Sequence, residues 1–367
     1  PLWSLGVYGV REYPRTAAAL AHIRHIDPAL TAGSPGPMPD IYYIIADGYG
    51  RSDMLRELYS IDNSEFIRWL GEKGFYVARE SCSNYCMTFM SLASSLNMQY
   101  LNYLGTYRPP GSPDRMVPYT MMHDPGIVRV MKKLGYEIAH LGTTYTGTET
   151  LLRADRTIDN RSFITSSGFV IMLTHTTVLK FFERYIDTMI ARQMLRNLDA
   201  VAALRRRGTP LFAFVHLLVP HPPFHFDSAG NIRTQPPKLG QFLGREHWHS
   251  KKQYADQLTF LNTRLKSIIT AILKQPGNPV IILQADHGTG SSWSDPEAYR
   301  RERFPILNAY YCNDAMRKQL YPSISPVNSF RVLLNSYFGA KLPLLPDRRF
   351  FSKITSPFDL TPVGRGR

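Results

Sequence analysis

An α/β/α sandwich around a mostly parallel central sheet is the fold class that this 367-residue sequence predicts, and three observations carry the prediction. Ile41 to Ala46 and Val280 to Ala285 are short, almost wholly apolar runs rich in β-branched residues, the composition of strands buried on both faces. Segments of helical periodicity separate these runs from others like them. Each of the two runs ends in an aspartate, in Asp47-Gly48 and in Asp286-His287-Gly288, and the carboxyl ends of parallel strands are where open sheets gather their ligand sites.

With 44% hydrophobic residues the chain can bury a large core, as one large α/β domain or two smaller ones; we read it as one domain over 37–367 behind a lead-in over 1–36. No repeat of 20–50 residues and no low-complexity tract is present. No apolar run reaches the roughly 18 residues that a membrane span needs. The net charge of +14 implies anionic neighbours, either nucleic acid or an anionic membrane surface. The basic clusters Arg205-Arg206-Arg207 and Arg300-Arg301 are short and scattered, and no zinc-finger, RNA-recognition or basic-helix pattern accompanies them, which favours the membrane surface over nucleic acid. Cys82, Cys86 and Cys312 make no zinc motif; one disulfide is open to them in an oxidising compartment, and buried free thiols are the commoner outcome.

Taken in order, Thr16 to Ile26 has helical character, and Thr31 to Pro39 is a Gly/Pro linker into the first strand. Arg51 to Leu58 and Asn63 to Lys73 read as helices, the second capped by Asn63 or Ser64 and ended by Gly74. Phe75 to Ala78 reads as a strand, Ser81 to Thr88 as a polar loop, and Ser91 to Leu101 as a closely packed buried helix. Asp124 to Leu134 is expected to be a helix capped by Asp124, Tyr136 to Leu141 a strand, and Thr143 to Thr150 a polar loop near the site. Phe169 to Asn197 is a partly apolar stripe, too charged to span a membrane, that suits either core packing or a surface lying on one; His175 within it reads as structural. Leu211 to Val215 is strand-like, and Phe224 to Arg233 a loop or hairpin turning at Gly230-Asn231. Tyr254 to Leu273 is a periodic helix, Thr289 to Arg303 a polar segment, Phe304 to Cys312 a strand, and Ser329 to Phe338 a helix. Arg300, Arg301 and Arg303 fit a solvated face or an approach to an anionic head group.

Chemistry concentrates in a few of these positions. Asp47, Asp286 and His287 are a metal-ligand set in type, and the two aspartates leave their strands on one side of the sheet. Thr88 falls at or just before a helix N-terminus, where it serves either as a cap or as an activated hydroxyl lowered in energy by the helix dipole and a shared metal. His216, at the end of the Leu211 strand, is either a hydrogen-bonded strand-end histidine or part of the site.

The ordered set of Asp47-Gly48 after a strand, Thr88 within Asn84-Tyr85-Cys86-Met87-Thr88-Phe89-Met90-Ser91, His216 to Pro223 and Asp286-His287-Gly288 resembles the alkaline phosphatase superfamily. The branch it resembles is that of the sulfatase-like membrane enzymes, which include lipoteichoic acid synthase and the phosphoethanolamine transferases. The resemblance covers about 40 to 340. It implies a catalytic domain over 37–367 in which Asp47, Thr88, Asp286 and His287 bind one divalent metal ion (Mn²⁺, Zn²⁺ or Mg²⁺). Thr88 would be the nucleophile that becomes covalently phosphorylated, His221 would contact the transferred group or a second metal, and His216, His221 and Asn84 would contact the substrate. Two departures bear on the chemistry. Cys86 is followed by Met87 and Thr88 rather than by the Pro and Arg of a formylglycine motif, which disfavours sulfate-ester hydrolysis by that route, and no histidine follows His287 to hold a second zinc.

The resemblance further implies transfer of a phospholipid head group, of phosphoglycerol or phosphoethanolamine type, to an envelope glycan or lipid; the alternatives are a phosphodiesterase, phosphatase or sulfatase-type hydrolase of another phosphorylated or sulfated small substrate, or a catalytically inactive binding module with this fold. The expected place is the extracytoplasmic face of a bacterial cell membrane, held by an anchor preceding Pro1, with the basic body on an anionic surface.

Overall fold

The computed structural model describes residues 13–26, 28, 38–108, 110–161, 173, 177, 181–233, 248, 250–292 and 294–364. His175, most of Thr31 to Pro39 and the first half of the Phe169 to Asn197 stripe lie outside these residues.

The central sheet has seven strands: β1 (Ile41–Ala46), β2 (Tyr76–Val77), β3 (Glu137–Leu141), β4 (Arg156–Ile158), β5 (Leu211–Leu217), β6 (Val280–Gln284) and β7 (Asn308–Tyr311), in the spatial order β2-β7-β6-β1-β5-β3-β4. β1 lies in the middle, parallel to β5 with Ile44 opposite Val215 and parallel to β6 with Ile44 opposite Leu283. β3 and β4 continue the parallel run, and β7 alone opposes its neighbours. The carboxyl ends of β1, β5 and β6 therefore open side by side, which delivers Asp47, His216 and Asp286 to one crevice.

Alternation along each strand makes two cores. Ile41, Tyr43 and Ile45 pack with Phe212, Phe214 and Ile282 beneath the helices Thr88–Leu96 and Pro326–Phe338. Tyr42, Ile44 and Ala46 pack with Ala213, Val215 and Leu283 against the helices Ser52–Tyr59, Glu183–Ala202 and Lys251–Leu273. Full burial of each such aliphatic side chain is worth about 1.5–3 kcal/mol, so both faces of β1 are committed to the fold and only its ends are free for polar work.

Several boundaries differ from expectation. The Asp124 to Leu134 segment is the helix Gly126–Lys133, with Pro125 at its N-cap; Asp124 instead closes the preceding helix, Met116–His123. The buried helix begins three residues earlier than expected and ends at Leu96, where Met98 adopts a left-handed φ of 56°. Phe304 closes the preceding helix with helical backbone angles, and only Asn308–Tyr311 joins the ladder, Pro305 and Ile306 making single bridges to Cys82 and Gly50. The short β4 and a C-terminal two-stranded ribbon, β8 (Arg349–Lys353) with β9 (Ser356–Val363), were not expected. In the helix Glu183–Ala202, Ile186, Ile190 and Ala191 are buried, so this part of the stripe is core packing, while Phe181, Phe182 and Tyr185 stay exposed.

Candidate active site

Asp47 is the first residue after β1. Its N–H donates to the Leu217 carbonyl at 3.0 Å and its own carbonyl accepts from the His221 N–H at 3.0 Å, which stitches the loop after β5 to the exit of β1. Gly48 follows in a left-handed conformation, φ 71°, and its N–H donates to Asp286 Oδ1 at 3.0 Å. A side chain there would be strained, and its Cβ would lie 2.8 Å from the Trp248 ring. The Asp-Gly pair is thus a backbone requirement as well as a chemical one.

Asp286 and His287 are wholly buried. The Ser91 hydroxyl, on the Thr88–Leu96 helix, donates to the Asp286 carbonyl at 2.6 Å and sets that helix against the exit of β6. His287 Nδ1 donates to the Gly288 carbonyl at 2.9 Å, which leaves Nε2 as the lone-pair nitrogen facing the crevice. That nitrogen lies 3.2 Å from Asp286 Oδ2, 3.5 Å from Asp47 Oδ1 and 3.1 Å from Thr88 Oγ1. His221 Nδ1 donates to the Pro222 carbonyl at 2.6 Å, and Asp47, His221 and His287 each bring a ligand atom within 4.8 Å of the others. His216 is held at Nδ1 by the Thr148 hydroxyl, 2.8 Å away, and its Nε2 faces Asp47 Oδ2 at 3.4 Å. The Thr143 to Thr150 loop therefore reaches the site as expected.

Thr88 is the first residue of its helix. The N-cap is Met87, extended and without a side-chain hydrogen bond, so Thr88 does not act as the cap and its hydroxyl is turned to the cluster. The open first turn of that helix presents its positive dipole end to the same point.

The donor set fits a divalent cation. Asp47 Oδ1, Asp286 Oδ2 and His216 Nε2 are buried and have no hydrogen-bond partner among the described residues, a costly state for carboxylate oxygens unless an ion answers them. Oxygen and imidazole donors without a thiolate suit Mn²⁺, Zn²⁺ or Mg²⁺. The electrostatics divide the two carboxylates. Burial pushes Asp47 upward, but His221, His216 and His287 together outweigh it and hold the group well below the usual carboxylate range. Burial, and then the charge of Asp47, raise Asp286 to about 7. Burial lowers His221 and His287, the second strongly with Arg303 adding to it, so each is neutral.

Of the three arginines at 300–303, the site takes one. Arg303, 7% exposed, donates from Nε to the Cys86 carbonyl at 2.8 Å, from Nη1 to the Gly288 carbonyl at 3.0 Å and from Nη2 to His287 Nε2 at 2.8 Å. No carboxylate forms an ion pair with it among the described residues, so it is a fixed cation beside the Thr88 hydroxyl. Arg300 instead lies over the Phe351 ring and Arg301 pairs with Glu57. Only its reach to the Cys86 and Gly288 carbonyls distinguishes Arg303 within a uniformly charged last turn, and sequence alone does not expose that.

Asn84 is not brought to the cluster. Its amide donates to Ser325 Oγ at 3.0 Å and to the Arg348 carbonyl at 2.9 Å, and its Oδ1 accepts from Val327 N at 3.0 Å, which fixes the start of the Pro326–Phe338 helix. Cys82, Cys86 and Cys312 are free, and the buried Cys86 thiol turns to the Ser352 carbonyl at 3.4 Å, away from Thr88.

A family model described as Sulfatase matches residues 39–320. No curated protein matches the sequence. Among solved structures the fold is similar to the C-terminal periplasmic domain of EcEptC from Escherichia coli, with a TM-score of 0.57, 13% identity, and coverage of 92% of this chain and 96% of that one. Its complex with Zn gives a TM-score of 0.56 at 13% identity and the same coverage of 92% and 96%. The integral membrane protein lipooligosaccharide phosphoethanolamine transferase A (EptA) from Neisseria meningitidis gives 0.55 at 12% identity, covering 90% of this chain and 60% of that one. At such identities the likeness is one of fold.

Proposed function

Because the chain belongs to the sulfatase family, and is thereby a metal-dependent enzyme of the alkaline phosphatase superfamily, we propose that it transfers a phospholipid head group, of phosphoglycerol or phosphoethanolamine type, to an envelope glycan or lipid through a covalent intermediate on Thr88. The observation that carries this reading is the hydroxyl of Thr88, at the open start of a buried helix, 3.1 Å from His287 Nε2 and beside two aspartates with unpartnered oxygens. The phosphoethanolamine transferase named among the similar folds supports the choice of head group.

Asp47, Thr88, Asp286 and His287 would hold one divalent ion, which would take the His287 Nε2 lone pair in place of Arg303 Nη2 and leave that N–H for the transferred group, and the zinc complex of the similar EcEptC domain supports that assignment. Bound there, the ion supplies Lewis acidity that favours the alkoxide and neutralises charge on the transferred group. The Thr88 oxygen forms its bond to phosphorus in line as the bond to the glyceride oxygen breaks. The proton from Thr88 passes, with neutral His221 as its carrier, to that oxygen, and a diglyceride departs. An acceptor hydroxyl then takes the group from Thr88 and returns the proton by the same route. Arg303 places a permanent positive charge where the oxyanion is held. With water as acceptor the same residues give a phosphodiesterase or phosphatase.

The substrate places the enzyme at the extracytoplasmic face of a bacterial cell membrane, anchored by a segment preceding this chain, with its +14 body toward anionic head groups. The periplasmic location named for the similar domain supports this. No described helix is long and apolar enough to cross a membrane.

The test is intact-mass and peptide analysis after incubation with Mn²⁺ or Zn²⁺ and vesicles of phosphatidylethanolamine or phosphatidylglycerol. A head-group increment on Thr88, absent in Thr88→Ala, is the expected result. A modified Cys86, or no adduct in protein with stoichiometric metal, overturns the reading.

A further inference from the structure

We propose that Tyr145 is a further catalytic residue, whose hydroxyl donates a hydrogen bond to a non-bridging oxygen of the tetrahedral group while that group is on Thr88. The inference rests on the group-transfer reading of the site above.

Tyr145 stands at the mouth of β3, where the chain turns through the short helix Thr146–Thr148. The turn is built with care for position. Thr143 Oγ1 accepts from the Tyr145 N–H at 3.1 Å, the Tyr145 carbonyl accepts from the Thr148 N–H at 2.9 Å, and Thr143 and Thr148 share a hydroxyl contact of 2.9 Å. Thr148 is also the residue that fixes His216 Nδ1. One turn therefore sets both the His216 ring and the Tyr145 ring, which meet edge to face at 5.9 Å and 84°. On its other side the Tyr145 ring meets Tyr119 edge to face at 6.2 Å, and Gly147 leaves it room, since a Cβ there would stand 2.9 Å from Tyr145 Cε1.

All of these contacts belong to the ring and the backbone, and phenylalanine would make them equally well. The hydroxyl is what they do not explain. Its oxygen is buried and has no hydrogen-bond partner among the described residues. Burial, followed by Tyr119, Asp47 and Asp286, holds the phenol far above its ordinary range, so it stays protonated and can act only as a donor or weak acceptor; the Tyr119 side chain also comes near the hydroxyl, short of hydrogen-bond geometry. A buried donor left unpaired is costly, and such costs concentrate where a ligand completes the pairing. The Tyr145 ring borders His216, whose Nε2 faces Asp47, and the group passing through Thr88 would bring non-bridging oxygens to that side of the crevice. Arg303 approaches from the side of β6 and Tyr145 from the side of β3, so the two donors would hold the group from opposite flanks of the crevice.

The experiment compares wild type with Tyr145→Phe, both loaded with Mn²⁺ or Zn²⁺, using inorganic phosphate as the probe in calorimetric titration and turnover of phosphatidylethanolamine as the second measurement. We expect phosphate affinity and kcat each to fall about 10–100-fold, the range of one hydrogen bond to a charged group. Metal stoichiometry should be unchanged, and the thermal midpoint of the metal-free variant unchanged or higher, because an unpaired buried hydroxyl has gone. Equal phosphate affinity and equal kcat in the two proteins overturn the inference alone. So does a variant whose midpoint falls by several degrees with activity lost only in proportion to the unfolded fraction, since the hydroxyl would then be structural. A metal-loaded wild type that neither binds phosphate nor labels Thr88 overturns the group-transfer reading, and this inference with it.

Discussion

Two aspartates flank the same strand and have opposite fates. Asp40, just before β1, accepts at Oδ1 from the Leu211 N–H at 2.9 Å and from Arg206 Nε at 2.8 Å, and its carbonyl accepts from the Val280 N–H at 2.8 Å. It ties the starts of β1, β5 and β6 together and leaves nothing for a ligand. Asp47, at the other end, is as well buried, yet its Oδ1 has no partner among the described residues and histidines surround it. Composition does not separate the two. Satisfaction of the carboxylate does: a paired buried charge belongs to the fold, whereas an unpaired one belongs to something the fold expects to bind.

The comparison breaks at once if Asp40→Asn loses metal while Asp47→Asn keeps it. We expect the reverse, read by elemental analysis, with turnover of Asp47→Asn falling by at least about 10³-fold. Thr88→Ala should lose about 10⁴-fold or more in turnover with its thermal midpoint unchanged, and Thr88→Ser should retain part of the activity.

Arg303→Lys sharpens the contrast on the cationic side. The ammonium cannot hold the Cys86 and Gly288 carbonyls together while also facing the transferred group, so kcat should fall about 10–100-fold with metal retained. An unchanged kcat would assign Arg303 to packing.

The pH dependence distinguishes the two metal-facing carboxylates. Asp286 is raised to about 7 in the metal-free protein, so protons compete with metal below that value; affinity should rise up to about tenfold per pH unit until pH 7 and level above it, and Asp286→Asn should flatten the slope. The stability of the metal-free fold moves the other way. The Asp286 contribution is full below the ordinary carboxylate range and is lost as pH rises through about 7, whereas that of Asp47, whose value is depressed, is present above the ordinary range and lost as pH falls below it.

Smaller effects concern stability. Asp40→Ala should cost about 1–3 kcal/mol in urea unfolding through the orphaned Leu211 N–H, with little added by the partly exposed Arg206. Asp47→Asn should remove from metal-free protein only the contribution that the depressed carboxylate makes above the ordinary carboxylate range. Smallest of all, Cys86→Ala should leave turnover within about twofold, because its thiol faces Ser352.

The exits of β1 and β6 were legible because a strand buried on both faces is written as an apolar run, and a charge that ends such a run stands out. Thr88 was legible to within its uncertainty about the helix start. What escaped was whatever depends on contacts distant in sequence. Asp40 directly follows a Gly/Pro linker and is recognisable only once β5 arrives beside it. Arg303 shares its helix with two exposed arginines, and Tyr145 sits among hydroxyl residues of a loop. Asn84 was misplaced for the same reason: a polar residue four positions before Thr88 is close in sequence, yet its amide points to the Pro326–Phe338 helix and the chain at Arg348. The β8–β9 ribbon carries alternation too broken by charge and proline to announce itself.

Trp248 has an indole wedged against Gly48 and Gly290 and edge-on to His221 at 5.2 Å. That placement makes the crevice visible to light. Any displacement of the Asp47-Gly48 corner or of the His221 ring changes the polarity and quenching around one buried fluorophore. Tryptophan emission, with Trp248→Phe as the blank for the other three indoles of the chain, is therefore an intrinsic gauge for following ion or substrate entry in real time without a label.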